Sequence, residues 1–202
     1  MNDKFFDLKK EKQDRMINAC LKVFAKNGYD HASTDEMVKE AQISKGLLFH
    51  YFESKLGLYE FLFDYCAKYM MLETSSLGKA VEKDYFVVYA QLLDVKTQVA
   101  KTYPYMEFFL QNAYKDTSKD FSPEFLEKIA SYRDYEEGFF GNVNLGYFNA
   151  TCNYELLRQV VAYTANGLME QMLAEDSFEP DRFEREITRF LDMLRAMSYQ
   201  KI

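Results

Sequence analysis

Glycine and proline punctuate this chain too rarely for an all-β fold. There are 8 Gly and 3 Pro in 202 residues, whereas a sandwich or barrel places a turn signal about every ten residues. Between those breaks, apolar residues recur at three- and four-residue intervals and strand alternation never persists beyond a few positions, so the expected class is all-α. With 48% hydrophobic residues the chain can bury a sizeable core and is not expected to be disordered. The opening run MNDKFFDLKKEKQDR contains no apolar signal-peptide core, and no segment approaches eighteen uninterrupted apolar residues. A cytoplasmic protein without membrane attachment is expected.

From Leu8 to Asn27 the residues Met16, Ile17, Cys20, Leu21, Val23 and Phe24 mark an amphipathic helix, and Gly28 is placed to stop it. In STDEMVKEA, Ser33 or Thr34 can cap a second helix, with Asp35 and Glu36 in its first turn, where acids favour the positive end of the helix dipole. That helix ends near Ala41. Gln42 and Ile43 precede Ser44, a second cap, which opens KGLLFHYF; Ser54 then opens a longer apolar helix. Two short helices joined by a tight turn and flanked by longer ones have the layout of a helix-turn-helix. Met37, Val38, Ala41, Ile43, Leu48 and Phe52 are placed to pack the short pair together, leaving Lys45, Gly46, Leu47, Phe49 and His50 for other faces.

The net charge of −7 runs against nucleic-acid binding, but its distribution does not. Residues 1–56 hold ten Lys/Arg against nine Asp/Glu, and residues 57–202 hold fifteen against twenty-three. Lys4, Lys9, Lys10 and Lys12 crowd one end of the first part, and Lys45 and Lys55 flank the second short helix. The expected organisation is therefore a helix-turn-helix domain over 1–56 and a helical domain over 57–202. In the latter the pattern gives helices near 81–101, 104–115, 123–141, 153–175 and 180–199, with Pro180 in the first turn of the last. Phe183, Ile187, Phe190, Leu191, Leu194 and Met197 form one apolar stripe there. Gly167, inside the preceding helix, costs about 1 kcal/mol relative to Ala, which points to close approach of another backbone, within or between subunits, or of a ligand. Cys20, Cys66 and Cys152 are an odd set without CxxC spacing, each in a helical pattern, so buried free thiols are expected rather than disulfides or a zinc site.

The run FAKNGYDHASTDEMVKEAQISKGLLFHYFESKLGLYEFL, from Phe24 to Leu62, combines Gly28-Tyr29, Thr34, Ala41, Ile43-Ser44-Lys45-Gly46, His50-Tyr51-Phe52 and Ser54-Lys55. On these features residues 9–62 resemble the DNA-binding domain of the TetR (tetracycline-repressor-like) family of transcriptional regulators. The chain departs from the family at Gln42, where Gly is common in the turn, at Leu47-Leu48, where a small hydroxyl residue is usual, and at Phe49, where Tyr is. The resemblance implies that the helix starting at Ser44 enters the major groove of an operator. Lys45, Leu47 and His50 are then the candidate base readers, with Gly46 allowing close approach; Lys45 and His50 are equally placed for phosphate. Thr34, Tyr51 and Lys55 are candidates for phosphate, Thr34 also as a simple cap and Lys55 also as a solvated lysine, and the capping Ser44 is a further candidate DNA contact. The basic N-terminal segment either tracks DNA or is a solvated terminus.

The resemblance further implies that the C-terminal helices hold a small-molecule effector and that residues 153–199 pair two copies into a homodimer. Among the many aromatics of this part, Tyr89, Phe108, Phe109, Gln111, Asn112, Tyr132 and Tyr163 are the candidate ligand contacts, with core filling the alternative for each. No cofactor or metal is implied. His31 and His50 are the only histidines, and the chain has no GxSxG, no HExxH and no glycine-rich phosphate loop, so no catalytic residues are assigned. The expected function is a ligand-responsive regulator, either a repressor released by its effector or an activator or accessory regulator without such release.

Overall fold

The computed structural model describes residues 3–77 and 84–200. It consists of helices α1 (Lys10–His31), α2 (Thr34–Ala41), α3 (Lys45–Phe52), α4 (Lys55–Thr74), α5 (Tyr85–Thr102), α6 (Met106–Ala113), α7 (Pro123–Gly138), α8 (Tyr154–Ala174) and α9 (Pro180–Ser198). Short 3₁₀ turns occur at Asp3–Phe5 and Leu145–Tyr147. Among the described residues there is no strand, only an isolated antiparallel bridge between Phe148 and Tyr199. The fold is all-α, as expected. The expected helix start at 81–83 lies outside the described residues. No helix among them is long and apolar enough to cross a membrane.

The chain forms two compact units, Met1–Leu72 with Thr102–Tyr135 and Glu73–Lys101 with Glu136–Ile202. They do not divide at residue 56. The unit containing α2 and α3 also takes in most of α4, α6 and most of α7, because α6 packs directly on α1.

In the first unit, Met16, Ile17, Cys20, Leu21 and Phe24 of α1 are buried to within 1% exposure, the face their spacing marks. Phe24 meets Tyr59 at 4.9 Å and Tyr59 meets Phe109 at 5.1 Å, an edge-to-face chain joining α1, α4 and α6. Gly28 does interrupt α1, with φ 67 and ψ 175, but one more turn follows to His31. Burial pushes the Cys20 thiol up to about 12 and the Cys66 thiol well above its usual range, consistent with inert core thiols. Cys152 differs: it is half-buried in the loop before α8, not in a helix, because Asn153 caps that helix by accepting from Leu156 N at 3.0 Å.

In the second unit Asp84 accepts from Phe86 N (2.9 Å) and Val87 N (3.2 Å), capping α5. The same carboxylate receives Tyr199 Oη at 2.7 Å and pairs with Arg195 at 2.8 Å, which ties the start of α5 to the end of α9. Lys96 pairs with Glu136 at 2.7 Å, and Arg158 with Glu137. The stripe of α9 is split. Phe183, Ile187 and Leu191 are buried, whereas Phe190, Met193 and Met197 are 41%, 51% and 70% exposed. On α8, Leu157, Val161, Met169, Met172 and Leu173 are buried, while Leu156, Val160 and Tyr163 are exposed. Gly167 is exposed, and a Cβ there would meet no atom within 4 Å, so close packing within the subunit does not explain this glycine.

Candidate nucleic-acid interface

The turn between α2 and α3 depends on one strained residue. Gln42 adopts the left-handed conformation (φ 55, ψ 48), and the Gln42 and Ile43 N–H groups return to Lys39 O (3.2 Å) and Val38 O (3.0 Å). This is a Schellman-type ending, usually made with glycine; a side chain in that region costs about 1–2 kcal/mol. The buried Met37, Ala41, Leu48 and Phe52 hold the turn in place, each at 2% exposure or less, whereas Val38 and Ile43 are half-buried at its rim. Arg15 Nε donates to Ala41 O at 3.0 Å and Lys22 pairs with Glu40 at 2.6 Å, so α1 braces the end of α2.

Both short helices carry hydroxyl caps. Ser33, not Thr34, is the cap of α2, accepting from Glu36 N at 3.5 Å; Ser44 Oγ accepts from Leu47 N at 3.1 Å. Thr34 is half-buried at the first position of α2, so its hydroxyl is not used as the cap. With Leu48 and Phe52 inward, α3 exposes Lys45, Gly46 and His50 and leaves Leu47 and Phe49 half-buried. A Cβ on Gly46 would meet nothing within 4 Å, so no neighbour in the chain requires glycine there. Lys45 Nζ lies 2.8 Å from Asp35 Oδ1. Tyr51 is only 7% exposed, its ring edge-on to Phe5 at 5.7 Å, so the aromatic ring is core and only its margin reaches the surface.

Phe5 was not singled out in the sequence. It is fully buried, with ring contacts to Tyr51, Phe52 (5.1 Å) and Phe61 (5.4 Å), and it anchors the N-terminal 3₁₀ turn against α3 and α4. The adjacent aromatic pair Phe5-Phe6 in a polar, basic segment was the available signal. Lys10 is likewise engaged: its ammonium contacts Asp14 at 2.6 Å and Tyr103 Oη at 2.8 Å. The segment is thus neither a frayed terminus at Phe5 nor free basic charge at Lys10.

The joint from α3 to α4 is tight. Glu53 has φ 65 and ψ −48, and Ser54 N donates to Phe52 O at 2.7 Å, a γ-turn of the strained hand. Ser54 Oγ then caps α4 by accepting from Gly57 N at 2.9 Å. A Cβ on Gly57 would lie 2.4 Å from Phe52 O, so glycine is required. Next to this joint, Lys55 Nζ donates to Asp30 O at 3.0 Å and sits 4.8 Å from the centre of the Tyr29 ring.

The corner 28–30 is in turn held by the loop after α6. Asp116 Oδ2 accepts from Tyr59 Oη (2.6 Å) and Tyr29 N (3.3 Å), Asp120 from Tyr29 Oη (2.9 Å), and Asp30 from Ser118 Oγ (2.7 Å). Burial, reinforced by the neighbouring carboxylates, raises both tyrosine hydroxyls far above their usual range, so both remain protonated donors. Tyr29 and Asp30 lie 87 to 91 positions from their partners in this loop and Tyr59 lies 57 from Asp116, and no local pattern marks them.

The ligand candidates are dispersed. Phe109 and Tyr132 are 1% and 2% exposed in the core of the first unit, Phe109 against Phe24 and Tyr132 against Phe63. Asn112 Nδ2 donates to Ala25 O at 2.8 Å and is a strut between α6 and α1. Gln111 bonds Glu107 at 3.1 Å, and Phe108 is half-buried. Tyr89, half-buried, belongs to the second unit, as does Tyr163. Tyr163 is 74% exposed on α8, where its own chain offers a ligand no enclosure.

Residues 16–62 match the family model described as bacterial regulatory proteins, tetR family. The biofilm operon icaADBC HTH-type negative transcriptional regulator IcaR of Staphylococcus aureus (strain Newman) is 24% identical over 130 residues, covering 60% of this chain and 69% of that protein. The uncharacterized HTH-type transcriptional regulator YuxN of Bacillus subtilis (strain 168) is 32% identical over 118 residues, covering 52% of this chain and 40% of that protein. Among solved structures, a TetR family transcriptional regulator from Chloroflexus aurantiacus J-10-FL superposes with a TM-score of 0.59 at 21% identity over 99% of each chain. The regulator FadR from Bacillus subtilis, in complex with stearoyl-CoA, has a TM-score of 0.53 at 15% identity, covering 89% of this chain and 96% of that one. At these identities the structural matches establish the fold.

Proposed function

We propose, from the match of residues 16–62 to the tetR family of bacterial regulatory proteins, that the chain is a TetR-family transcription factor: a homodimeric cytoplasmic repressor released from its operator by a small molecule. The observation that carries the DNA reading is the outer face of α3, where Lys45, Gly46 and His50 are exposed beside two capped helix N-termini and Gly46 has no internal neighbour. A glycine in a helix costs about 1 kcal/mol, and a groove wall is a surface that would repay its open side. Residues 1–56 act as the reading module and 57–202 as the regulatory part. Lys45, Leu47 and His50 face base edges, while Thr34, Ser44, the margin of Tyr51 and Lys55 meet phosphates. Lys55 exchanges Asp30 O for a phosphate oxygen.

The dimer forms through α8 and α9. Leu156, Val160, Tyr163 and Gly167 recur at intervals of four, three and four on α8, and Phe190, Met193 and Met197 at three and four on α9, so each set shares one exposed helix face. A second copy buries both faces, and Gly167 admits its backbone. Two α3 helices then meet successive major grooves about 34–36 Å apart on a pseudo-palindrome. Release follows from the stiff α3–α4 joint, since an effector that displaces α4 carries α3 with it. Phe108 and Gln111, and separately Tyr89, keep side-chain surface for an effector; Phe109, Asn112 and Tyr132 serve the core, and Tyr163 the dimer.

Selection of bound sequences from a random duplex pool tests this. An enriched inverted repeat supports both DNA recognition and the dimer, and absence of any enriched sequence removes the DNA reading. Induction has its own test: an effector that binds free and operator-bound protein equally tightly cannot release it.

A further inference from the structure

The Lys45–Asp35 pair lies where two helix N-termini meet. Lys45 is the first residue of α3 and Asp35 the second of α2, their side chains 48% and 75% exposed with Nζ and Oδ1 2.8 Å apart. We infer that Asp35 is a specificity-determining residue: together with Lys45 it forms a donor–acceptor couple that reads one G·C pair in each half-site. This rests on α3 being the reading helix.

The couple matches the edge of a base pair. In the major groove guanine offers the acceptors O6 and N7, and cytosine offers the N4 amino donor. O6 and N4 are hydrogen-bonded to each other and so lie about 2.9 Å apart, close to the 2.8 Å between Lys45 Nζ and Asp35 Oδ1. An ammonium over O6/N7 and a carboxylate over N4 therefore fit side by side, and the ion pair survives docking. Inverting the pair to C·G puts the amino group against Lys45 and the keto oxygen against Asp35, two repulsive contacts. A T·A pair keeps the order of keto and amino groups, but it gives Lys45 one acceptor instead of two and adds the thymine methyl. Phosphates repel a carboxylate, so Asp35 gains from the duplex chiefly at a base amino group. Its charge also suits the first turn of α2, a role Glu36 shares.

The test starts from the duplex enriched by wild-type protein. Each base pair is replaced in turn by the other three, and affinities are measured at one salt concentration for wild type, Asp35→Asn and Lys45→Met, with thermal melting as a control for folding. Wild type is expected to lose about tenfold or more on inversion of one G·C pair per half-site. Both variants should lose that discrimination at the same base pair, Asp35→Asn because an amide donates as readily as it accepts. Asp35→Asn retaining every base preference, or weakening all duplexes equally as loss of a helix-terminal charge would, overturns the inference alone. Failure of wild type to enrich any sequence overturns the DNA reading and this inference with it.

Discussion

Gly57 and Gly167 are both helical glycines, and they have opposite surroundings. At Gly57 the missing side chain is filled from within, by the Phe52 carbonyl 2.4 Å from where a Cβ would stand. At Gly167 nothing among the described residues outside its own helix backbone comes within 4 Å of where a Cβ would stand, and the residues sharing its face are Leu156, Val160 and Tyr163. The first glycine serves the fold of its own subunit. The second leaves space on an apolar surface that water does not favour, as expected of an element completed by a second copy. The exposed face of α3 is a third case: its glycine, Gly46, is equally open, but its exposed neighbours are Lys45 and His50, which suits a polyanion better than an apolar partner.

Substitutions can break or sharpen this contrast. Gly57→Ala drives a Cβ into a backbone carbonyl that cannot swing aside, and is expected to destabilise by about 3 kcal/mol in urea denaturation; unchanged stability would mean that the α3–α4 joint is looser than described. Tyr163→Glu places a charge in the proposed dimer face and should weaken dimerisation by about 2–4 kcal/mol in sedimentation velocity, with monomer helicity intact by circular dichroism. A dimer of unchanged affinity would assign the α8 face another role. Gly167→Ala sharpens the same point through its sign: helix propensity alone favours it by about 1 kcal/mol, so a variant that melts higher as a monomer yet dimerises less tightly locates the crossing there. Lys55→Ala should lower the slope of log affinity against log salt by about 1 and weaken all duplexes alike. The smallest effect is expected for Gln42→Gly, which relieves the left-handed strain and should stabilise by about 1 kcal/mol or less, since the unfolded chain gains freedom as well.

The helices near α5 to α9 and the capped pair α2–α3 were legible because their signals are local: apolar spacing, serine caps, and a proline at the start of α9. The strain at Gln42 was legible as well, since a turn that favours glycine holds a longer residue here. Tyr51 shows where such reading stops. The aromatic run His50-Tyr51-Phe52 offers two candidate DNA contacts and one core residue, but Phe5, 46 positions away from Tyr51, folds over the tyrosine ring and leaves it 7% exposed. The surroundings of Tyr163, 74% exposed, and of Asn112, bonded to Ala25 O, are not written in their own segments, because exposure and hydrogen-bond partners are set by elements distant in sequence.

Local chemistry by itself determined the helical class, the turn between α2 and α3, and the Ser33 and Ser44 caps that open the two short helices, since these depend on residues within a few positions of one another. Only the tertiary structure decided which side of each stripe faces in, that the loop carrying Asp116, Ser118 and Asp120 grips the corner beside Lys55, and that the apolar stripe of α9 has an inner and an outer half. Burial is a property of the packed chain, and a hydrogen bond across 80 or more residues leaves no periodic trace in the segments that make it.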